Sequence, residues 1–448
     1  MPPLCQADSA KAAPATPTRL STVVAQAYTV SMQSPTPDPD ILIAGGSYAG
    51  LTLALALSRV AGGELRITVV SPEFPSLDPL KSDIRASALS RGSLHLLDNL
   101  GLWSALAPYA QPVTSIELTD SALDDALRPT RLKYDLAPDA NLSAAELPRM
   151  VVIENHHLAR VLHDAAIKAT SVSLLSGTEI KSYATDPGRI VATLSSGQLI
   201  SARLLVAADG SRSKLRDLAG IRTTGHAYDQ LGIIAIVEPE LPHAGRAIQH
   251  FLPAGPFALL PLISNRICVT WSEGTAEAQR ILALDALAFR ADVEKRFGHE
   301  FGALKLISAP KSWPLSLGLA RNLIAPRFTV IGDAAHSVHP LAGQGLNLGF
   351  RDVAALTETI VDAARLGLDI GQVNTLERYE RWRRFDNLAA ASGFDMLNRL
   401  FSTPSTLARS TRGAALALTD ALPGFKSWLV DEASGESGDA PLLLRARP

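Results

Sequence analysis

The run Phe328-Thr329-Val330-Ile331-Gly332-Asp333-Ala334-Ala335-His336 constrains this chain more than any other stretch. Four β-favouring or apolar residues lead into a Gly-Asp pair, the pattern of a buried strand whose end presents one carboxylate. The chain continues through Ser337-Val338-His339-Pro340-Leu341-Ala342-Gly343-Gln344-Gly345-Leu346-Asn347-Leu348-Gly349-Phe350-Arg351-Asp352. Gly343 and Gly345 allow close backbone approach, and the apolar residues Leu346, Phe350, Val353, Leu356 and Ile360 have helical spacing. A helix that starts near Gly345 aims its free amides and positive dipole end at whatever the loop holds, which suits a ligand that becomes anionic. Taken without context, the pattern also fits an ordinary strand-loop-helix of an α/β core.

This stretch closely resembles the second FAD motif of the class A flavoprotein aromatic hydroxylases. Its Ala-Gly-Gln-Gly-Leu-Asn form, followed by Arg351-Asp352, looks most like the ubiquinone-biosynthesis branch. The resemblance implies that Asp333 binds a ribitol hydroxyl of FAD. It also implies that Pro340, Gly343, Gln344, Gly345, Leu346 and Asn347 belong to a loop and helix start lying against the isoalloxazine. The fold it implies is α/β, a Rossmann-like FAD-binding domain of the para-hydroxybenzoate hydroxylase type with an inserted antiparallel-sheet substrate domain and a helical C-terminal tail.

Ile41-Leu42-Ile43-Ala44-Gly45-Gly46-Ser47-Tyr48-Ala49-Gly50 opens a strand, a tight turn and a helix, the dinucleotide-binding fingerprint of a βαβ unit. It departs from the family pattern at Ser47, where a glycine normally lets the pyrophosphate approach the backbone. Gly45 and Gly50 keep their places, Gly46 falls at a free position, and the Ser47 hydroxyl is itself a phosphate donor. The next strand, Arg66-Ile67-Thr68-Val69-Val70-Ser71-Pro72-Glu73, ends on Ser71 where the resemblance expects a carboxylate for the adenosine ribose. Glu73, two residues on, is the nearest substitute.

Asp83-Ile84-Arg85 resembles the family's Asp-x-Arg segment, which implies that Arg85 lies near the FAD pyrophosphate; a guanidinium fork suits a phosphate. Asn155 opens an amphipathic helix with apolar Leu158, Val161 and Leu162, and by resemblance touches the flavin nucleotide. Its neighbours His156 and His157 have no partners at ligand spacing and read as solvated or capping residues, and no metal site is expected. Ala207-Ala208-Asp209-Gly210-Ser211-Arg212-Ser213-Lys214-Leu215-Arg216 matches the family's Asp-Gly motif. There the resemblance assigns FAD and NAD(P)H support to Asp209, Gly210, Ser213 and Arg216. A purely structural Asp-Gly turn is the plainer alternative.

Residues 222–313 change character into short β-like runs separated by Pro, Gly and Asn, which predict an antiparallel sheet. Phe251, Leu260, Pro261 and Trp271 are candidates for a substrate pocket on its face. Core packing is the ordinary role for any one of them. The chain divides in this reading into a flexible N-terminal extension (1–38), an FAD-binding domain in three parts (39–112, 151–221, 314–375), substrate-domain segments (113–150, 222–313) and a C-terminal helical region (376–448). Residues 1–38 are rich in Ala, Pro, Ser and Thr without sustained period, and they lack the features of a secretory or mitochondrial leader. Met32 is an alternative start.

A net charge of -2 over 448 residues gives no polyanion signal, and no Lys/Arg run interleaves with aromatics, so nucleic acid is not an expected partner. Cys5 and Cys268 cannot build a disulfide framework. The resemblance implies FAD reduced by NADPH or NADH, a C4a-hydroperoxyflavin formed with O2, and hydroxylation of the aromatic ring of a polyprenylated phenol in ubiquinone biosynthesis. The partner is then a lipophilic aromatic small molecule, and the location cytoplasmic, peripheral on the inner membrane or within a biosynthetic assembly. Such chemistry belongs to the cofactor, and no side chain is assigned a catalytic role, His336 and His339 included. A hydroxylase of a soluble aromatic, or a non-catalytic FAD-binding subunit of a biosynthetic complex, is the alternative.

Overall fold

Ile41–Ala44, a run without a polar side chain, forms a fully buried strand inside a six-stranded sheet. The computed structural model describes residues 38–75, 83–123, 128–136, 146–298, 300–337, 345–384 and 440–446. Ile67–Ser71 and then Val172–Ser176 pair outward on one side of Ile41–Ala44; Leu204–Ala207, Phe328–Val330 and Ile324–Ala325 follow on the other. All pairings are parallel except the short Ile324–Ala325 edge. Parallel strands covered on both faces need near-continuous apolar runs, as these carry. The chain leaves Ile41–Ala44 for one side of the sheet and later returns to the other, so a crevice opens at the carboxyl ends of the central strands.

Two helices cover this sheet where it matters for the crevice. Tyr48–Val60 buries Leu51, Leu53, Leu55 and Leu57, each burial contributing roughly 1.5–3 kcal/mol. Gly345–Arg365 packs against it and buries Leu348, Phe350, Val353, Leu356 and Ile360. A further helix over 373–384 closes underneath, where the Tyr379 hydroxyl donates to the Val330 carbonyl at 2.9 Å. The rest of the predicted C-terminal helical region, 385–439, lies outside the described residues.

The second layer is a nine-stranded sheet running from His336–Ser337 through Lys311–Ala320, Thr223–Pro239, Arg266–Gly274, Gly255–Leu262, Arg246–Leu252 and Ser115–Asp120 to Thr130–Asp135, with Leu304–Leu306 beside Thr223–Pro239. It is antiparallel apart from one seam, where Arg246–Leu252 runs parallel to Ser115–Asp120. The seam arises because Ser115–Asp120 comes from a separate excursion of the chain, and no hairpin joins the two strands. Alternate residues face opposite ways. Ile233, Phe257, Leu259, Val269 and Trp271 pack with Phe289 and Phe297 of the helices on one face. Ile234, Ile236, Leu260, Leu262 and Cys268 meet Ala88, Met150 and Val152 of a small three-stranded sheet on the other.

Candidate functional site

The crevice at the strand ends holds two adjoining cavities of about 390 Å³ and about 500 Å³. Both touch Ser47, Tyr48, Arg212, Asp333, Gly345 and Leu346. The smaller one runs under the glycine turn past Glu73, Asp209 and Gly210. The larger one passes Arg85 and Asn155 to the nine-stranded sheet, where Ile234, Ala258, Leu260 and Thr270 form its wall with Trp313 and Leu315.

The glycine turn is built by close approach. Gly45 sits at φ +115°, and a Cβ there would lie 2.2 Å from the Ala208 carbonyl oxygen. A Cβ on Gly50 would lie 1.9 Å from the Gly45 oxygen, so helix and turn meet only with glycine at both positions. Gly46 is not at a free position in this chain, because a Cβ there would meet the Phe74 ring at 2.3 Å and Ser71 Cβ at 2.9 Å. Ser47 caps Tyr48–Val60 with its backbone, accepting from Leu51 N–H at 3.0 Å, while its side chain makes no capping bond and stands exposed. The first amides of that helix therefore point into the smaller cavity together with a spare hydroxyl. Ser71 is buried and its hydroxyl donates to the Glu73 carbonyl at 2.6 Å, turning the chain so that exposed Glu73 stands at the cavity wall.

Gly332–Ala334 is a single turn of 3₁₀ helix that carries Asp333 at its apex. Most neighbouring groups on the turn are bonded, the buried His336 Nδ1 excepted. Gly332 N–H and His336 Nε2 both bond Asp352 Oδ2, at 2.9 and 2.5 Å. The Ala335 amide donates to Gly332 at 2.8 Å, and the buried Arg216 donates to the Ala334 carbonyl at 3.1 Å. Asp333 stands exposed at the apex and opens on both cavities, and among the described residues nothing donates a hydrogen bond to its carboxylate. Although solvent reaches the side chain, the protein packed around it pushes its pKa above the ordinary carboxylate value, against the pull of His336 and Arg85.

Arg85 forks onto Asp83 at 2.6 and 2.9 Å. Asp83 also accepts from the Tyr48 hydroxyl at 3.0 Å, and Asn155 accepts from Ser87 at 2.7 Å. Burial raises the Asp83 carboxyl, but the hydrogen bonds and charge of Arg85 hold it below its usual range; burial and Asp83 both push the Tyr48 phenol up. Asp209 lines the smaller cavity with its pKa raised by burial, and Gly210 follows at φ +89°. Ser213 caps the next short helix by accepting from Arg216 N–H at 3.0 Å. Arg216 itself spans from Ser211 to Ala334, tying the Asp209 loop to the Asp333 turn.

The crevice gathers Gly45, Gly46, Ser47, Glu73, Arg85, Asn155, Asp209, Gly210, Asp333, Gly345 and Leu346, and Gly50 stands behind it. Asn347 is turned away: its amide donates to the Ala88 carbonyl at 2.8 Å and accepts from Ser93 Oγ at 2.7 Å, so it anchors the helix start. Pro340, Gly343 and Gln344 lie outside the described residues. Of the substrate candidates, Leu260 lines the larger cavity and Phe251 is buried on the same face, farther along the sheet. Trp271 and Pro261 alternate onto the opposite face, where Trp271 packs 5.4 Å from Phe257 and 6.0 Å from Phe289. His157 stacks on Tyr109 at 3.9 Å and adjoins His156, away from the crevice lining. Sequence reasoning missed Tyr48, Arg212, Trp313, Asp352 and Arg383. Tyr48, Arg212 and Asp352 sit inside the quoted motifs and could have been flagged there; nothing in the pattern marks Trp313 or Arg383.

The residues present fit FAD. A long crevice, a glycine cradle with helix amides for a diphosphate, and a carboxylate that no described residue bonds, suited to a hydroxyl chain, follow one another along it. Residues 38–385 match the family described as FAD binding domain. The chain is 36% identical to the ubiquinone hydroxylase UbiL of Rhodospirillum rubrum, over 91% of this chain and 93% of that one. It is 31% identical to the 3-demethoxyubiquinol 3-hydroxylase of Escherichia coli, over 81% and 90% of the two chains. The crystal structure of p-nitrophenol 4-monooxygenase PnpA from Pseudomonas putida superposes with a TM-score of 0.72 at 18% identity, covering 90% of this chain and 99% of that one.

Proposed function

We propose, from the premise that this chain belongs to the FAD binding domain family and within it to the ubiquinone-biosynthesis hydroxylases, that it hydroxylates the ring of a polyprenylated phenol. It is an FAD-dependent monooxygenase with NAD(P)H as electron donor. The substrate class rests on the names of its relatives and on the apolar wall that Ile234, Ala258, Leu260, Trp313 and Leu315 offer beside Asp333. That juxtaposition, a cofactor crevice opening onto a chamber with one apolar wall, carries the reading.

Bound FAD supplies the redox chemistry, taking electrons from NAD(P)H and delivering one atom of O2 to an electron-rich ring carbon while the other leaves as water. The chain binds, orients and excludes water. In this reading Asp333 accepts a ribityl hydroxyl. Gly45, Gly46, Ser47 and the start of Tyr48–Val60 hold the diphosphate, which Gly50 permits by letting the helix close up, and Arg85 adds charge beside it. Glu73 takes the adenosine ribose that Ser71 cannot reach, since the Ser71 hydroxyl is spent on Glu73's own carbonyl. Asn155, Asp209 and Gly210 border the nucleotide, and the backbone at Gly345 and Leu346 borders the flavin ring. The sheet wall keeps water from the reacting ring carbon.

The domain division read from the sequence stands as part of this proposal. No described helix is long and apolar enough to cross a membrane. A lipid-soluble substrate argues for a cytoplasmic enzyme that meets the inner membrane peripherally, alone or within an assembly. The test is to purify the protein, record its visible spectrum, and add NADPH or NADH in air with and without a short-chain 2-polyprenylphenol. A flavin spectrum, phenol-stimulated NAD(P)H oxidation and a hydroxylated ring are expected. Equal turnover of simple phenols would move the substrate to soluble aromatics. Bound FAD that NAD(P)H never reduces would end the enzymatic reading.

A further inference from the structure

Asp352 lies on the helix Gly345–Arg365 with no exposed surface, beneath the Asp333 turn. One of its oxygens, Oδ2, accepts from both ends of that turn, from Gly332 N–H at 2.9 Å and from His336 Nε2 at 2.5 Å. Its other oxygen accepts from Arg383 Nε at 2.8 Å, reached from the helix over 373–384. Arg383 is itself 1% exposed. Sharing one acceptor draws Gly332 and His336 together, and Asp333 is thereby presented outward at the apex. Gly332 can make this turn because it sits at φ +58°. Arg216, bonded to the Ala334 carbonyl, holds the same turn from the Asp209 side.

We propose that Asp352 is a positioning residue for the cofactor: it grips the turn so that Asp333 meets the ribityl chain, and Arg383 supplies the buried charge that allows a carboxylate to serve there. The inference rests on the reading that Asp333 holds FAD. Burial alone would push the Asp352 carboxyl up, yet His336 and Arg383 bring it down to about 2, so the grip is anionic across the working pH range. An unpaired charge at this depth is strongly destabilising, whereas an apolar pair of similar volume is often tolerated. The two roles are therefore separable by changing both partners together.

The experiment compares Asp352→Asn with Asp352→Leu, each combined with Arg383→Met. The asparagine keeps an oxygen for Gly332 and His336; the leucine keeps volume and loses the grip. FAD dissociation constants are measured by flavin fluorescence at a temperature well below unfolding, with the visible spectrum of bound flavin as a second readout. The asparagine pair is expected to bind FAD within about threefold of the unmodified protein, and the leucine pair at least about tenfold more weakly, the size of one lost hydrogen bond. Adding Asp333→Asn is expected to weaken the asparagine pair further and to leave the leucine pair almost unchanged. Equal FAD affinity in the two pairs would overturn the proposal, as would an equal effect of Asp333→Asn in both. Hydrogen exchange of the peptide over 331–337 in the unmodified, FAD-free protein gives a test that needs no variant. Protection is expected, and exchange at open-loop rates would overturn it. If the unmodified protein fails to bind FAD at all, it is the functional reading that falls.

Discussion

Asp333 is fixed by its turn, and no described residue donates to its carboxylate, the condition of a group waiting for a donor. Its raised pKa, caused by the protein packed around it, gives this a measurable sign. A ribityl hydroxyl donating to the carboxylate stabilises the ionised form, so the bound state has the lower pKa. FAD affinity should be full above the raised pKa of the free site and fall as pH drops through it. Asp333→Asn should weaken FAD by roughly 10- to 100-fold, matching the roughly 1.5–3 kcal/mol of a charge-assisted hydrogen bond, and flatten that acid limb. Titration of apoprotein with FAD across pH decides it; an unchanged acid limb would sink the role. Ser47 offers a second residue-scale test. Ser47→Asp keeps a good N-cap but adds a negative charge at the diphosphate position, so FAD binding should fail while the unfolding midpoint of the apoprotein stays close to that of the parent. Retained FAD affinity would move the diphosphate elsewhere. The sequence made Asp333, Gly45 and Gly50 legible because their motifs encode a bend or a close approach. Asn347 misled, since an amide beside a cofactor motif looks the same whether it faces the ligand or, as here, Ala88 and Ser93. Asp352 and Arg383 were invisible as a pair: buried partners 31 residues apart leave no local pattern.

At the scale of elements, the parallel sheet was legible from its apolar runs, and Gly345–Arg365 from its helical spacing. The nine-stranded sheet was read only where it alternates or runs apolar. The apolar run Ile233 to Val237 has the pattern of a strand, but the strand begins at Thr223, through a polar, mostly exposed stretch held by backbone pairing with Lys311–Ala320. Nor can alternation say which face meets the cofactor, because both faces of this sheet are covered and both read as apolar. That is why Trp271 and Leu260 looked equivalent. Their difference is testable. Ala258→Phe projects a ring into the larger cavity, so it should leave FAD binding intact and abolish phenol-stimulated NAD(P)H oxidation. Trp271→Ala removes a ring from the far-side core and should cost about 3–5 kcal/mol of stability. Protein that remains folded should still turn over phenol. Denaturant melts and oxidase assays on both variants separate the faces, and a Trp271→Ala enzyme of full stability but no phenol response would reverse the assignment.

Across the whole molecule, the crevice is assembled from stretches that meet only when the parallel sheet has formed. The glycine turn abuts Ala208 through Gly45. The loop after Ala207 reaches the Asp333 turn through Arg216, and that turn is gripped by a helix that packs on Tyr48–Val60. No single stretch carries the site, so an unfolded chain has nothing with which to hold FAD. Cofactor binding must therefore appear as global stability. At free FAD one hundred times its dissociation constant the gain is about 2.7 kcal/mol. With an unfolding entropy of roughly 2.1 cal/mol/K per residue, 448 residues turn that into an upward shift of about 3 °C in the unfolding midpoint. Gly45→Ala should erase the shift at any reachable FAD concentration: the new Cβ meets the Ala208 carbonyl and φ +115° is costly, by about 1–3 kcal/mol, for any other residue. Asp333→Asn should instead leave the apoprotein midpoint alone and reduce the shift at fixed FAD. Scanning all three proteins with and without FAD discriminates a site built across the fold from a loosely attached nucleotide, for which added FAD would leave the parent midpoint where it was.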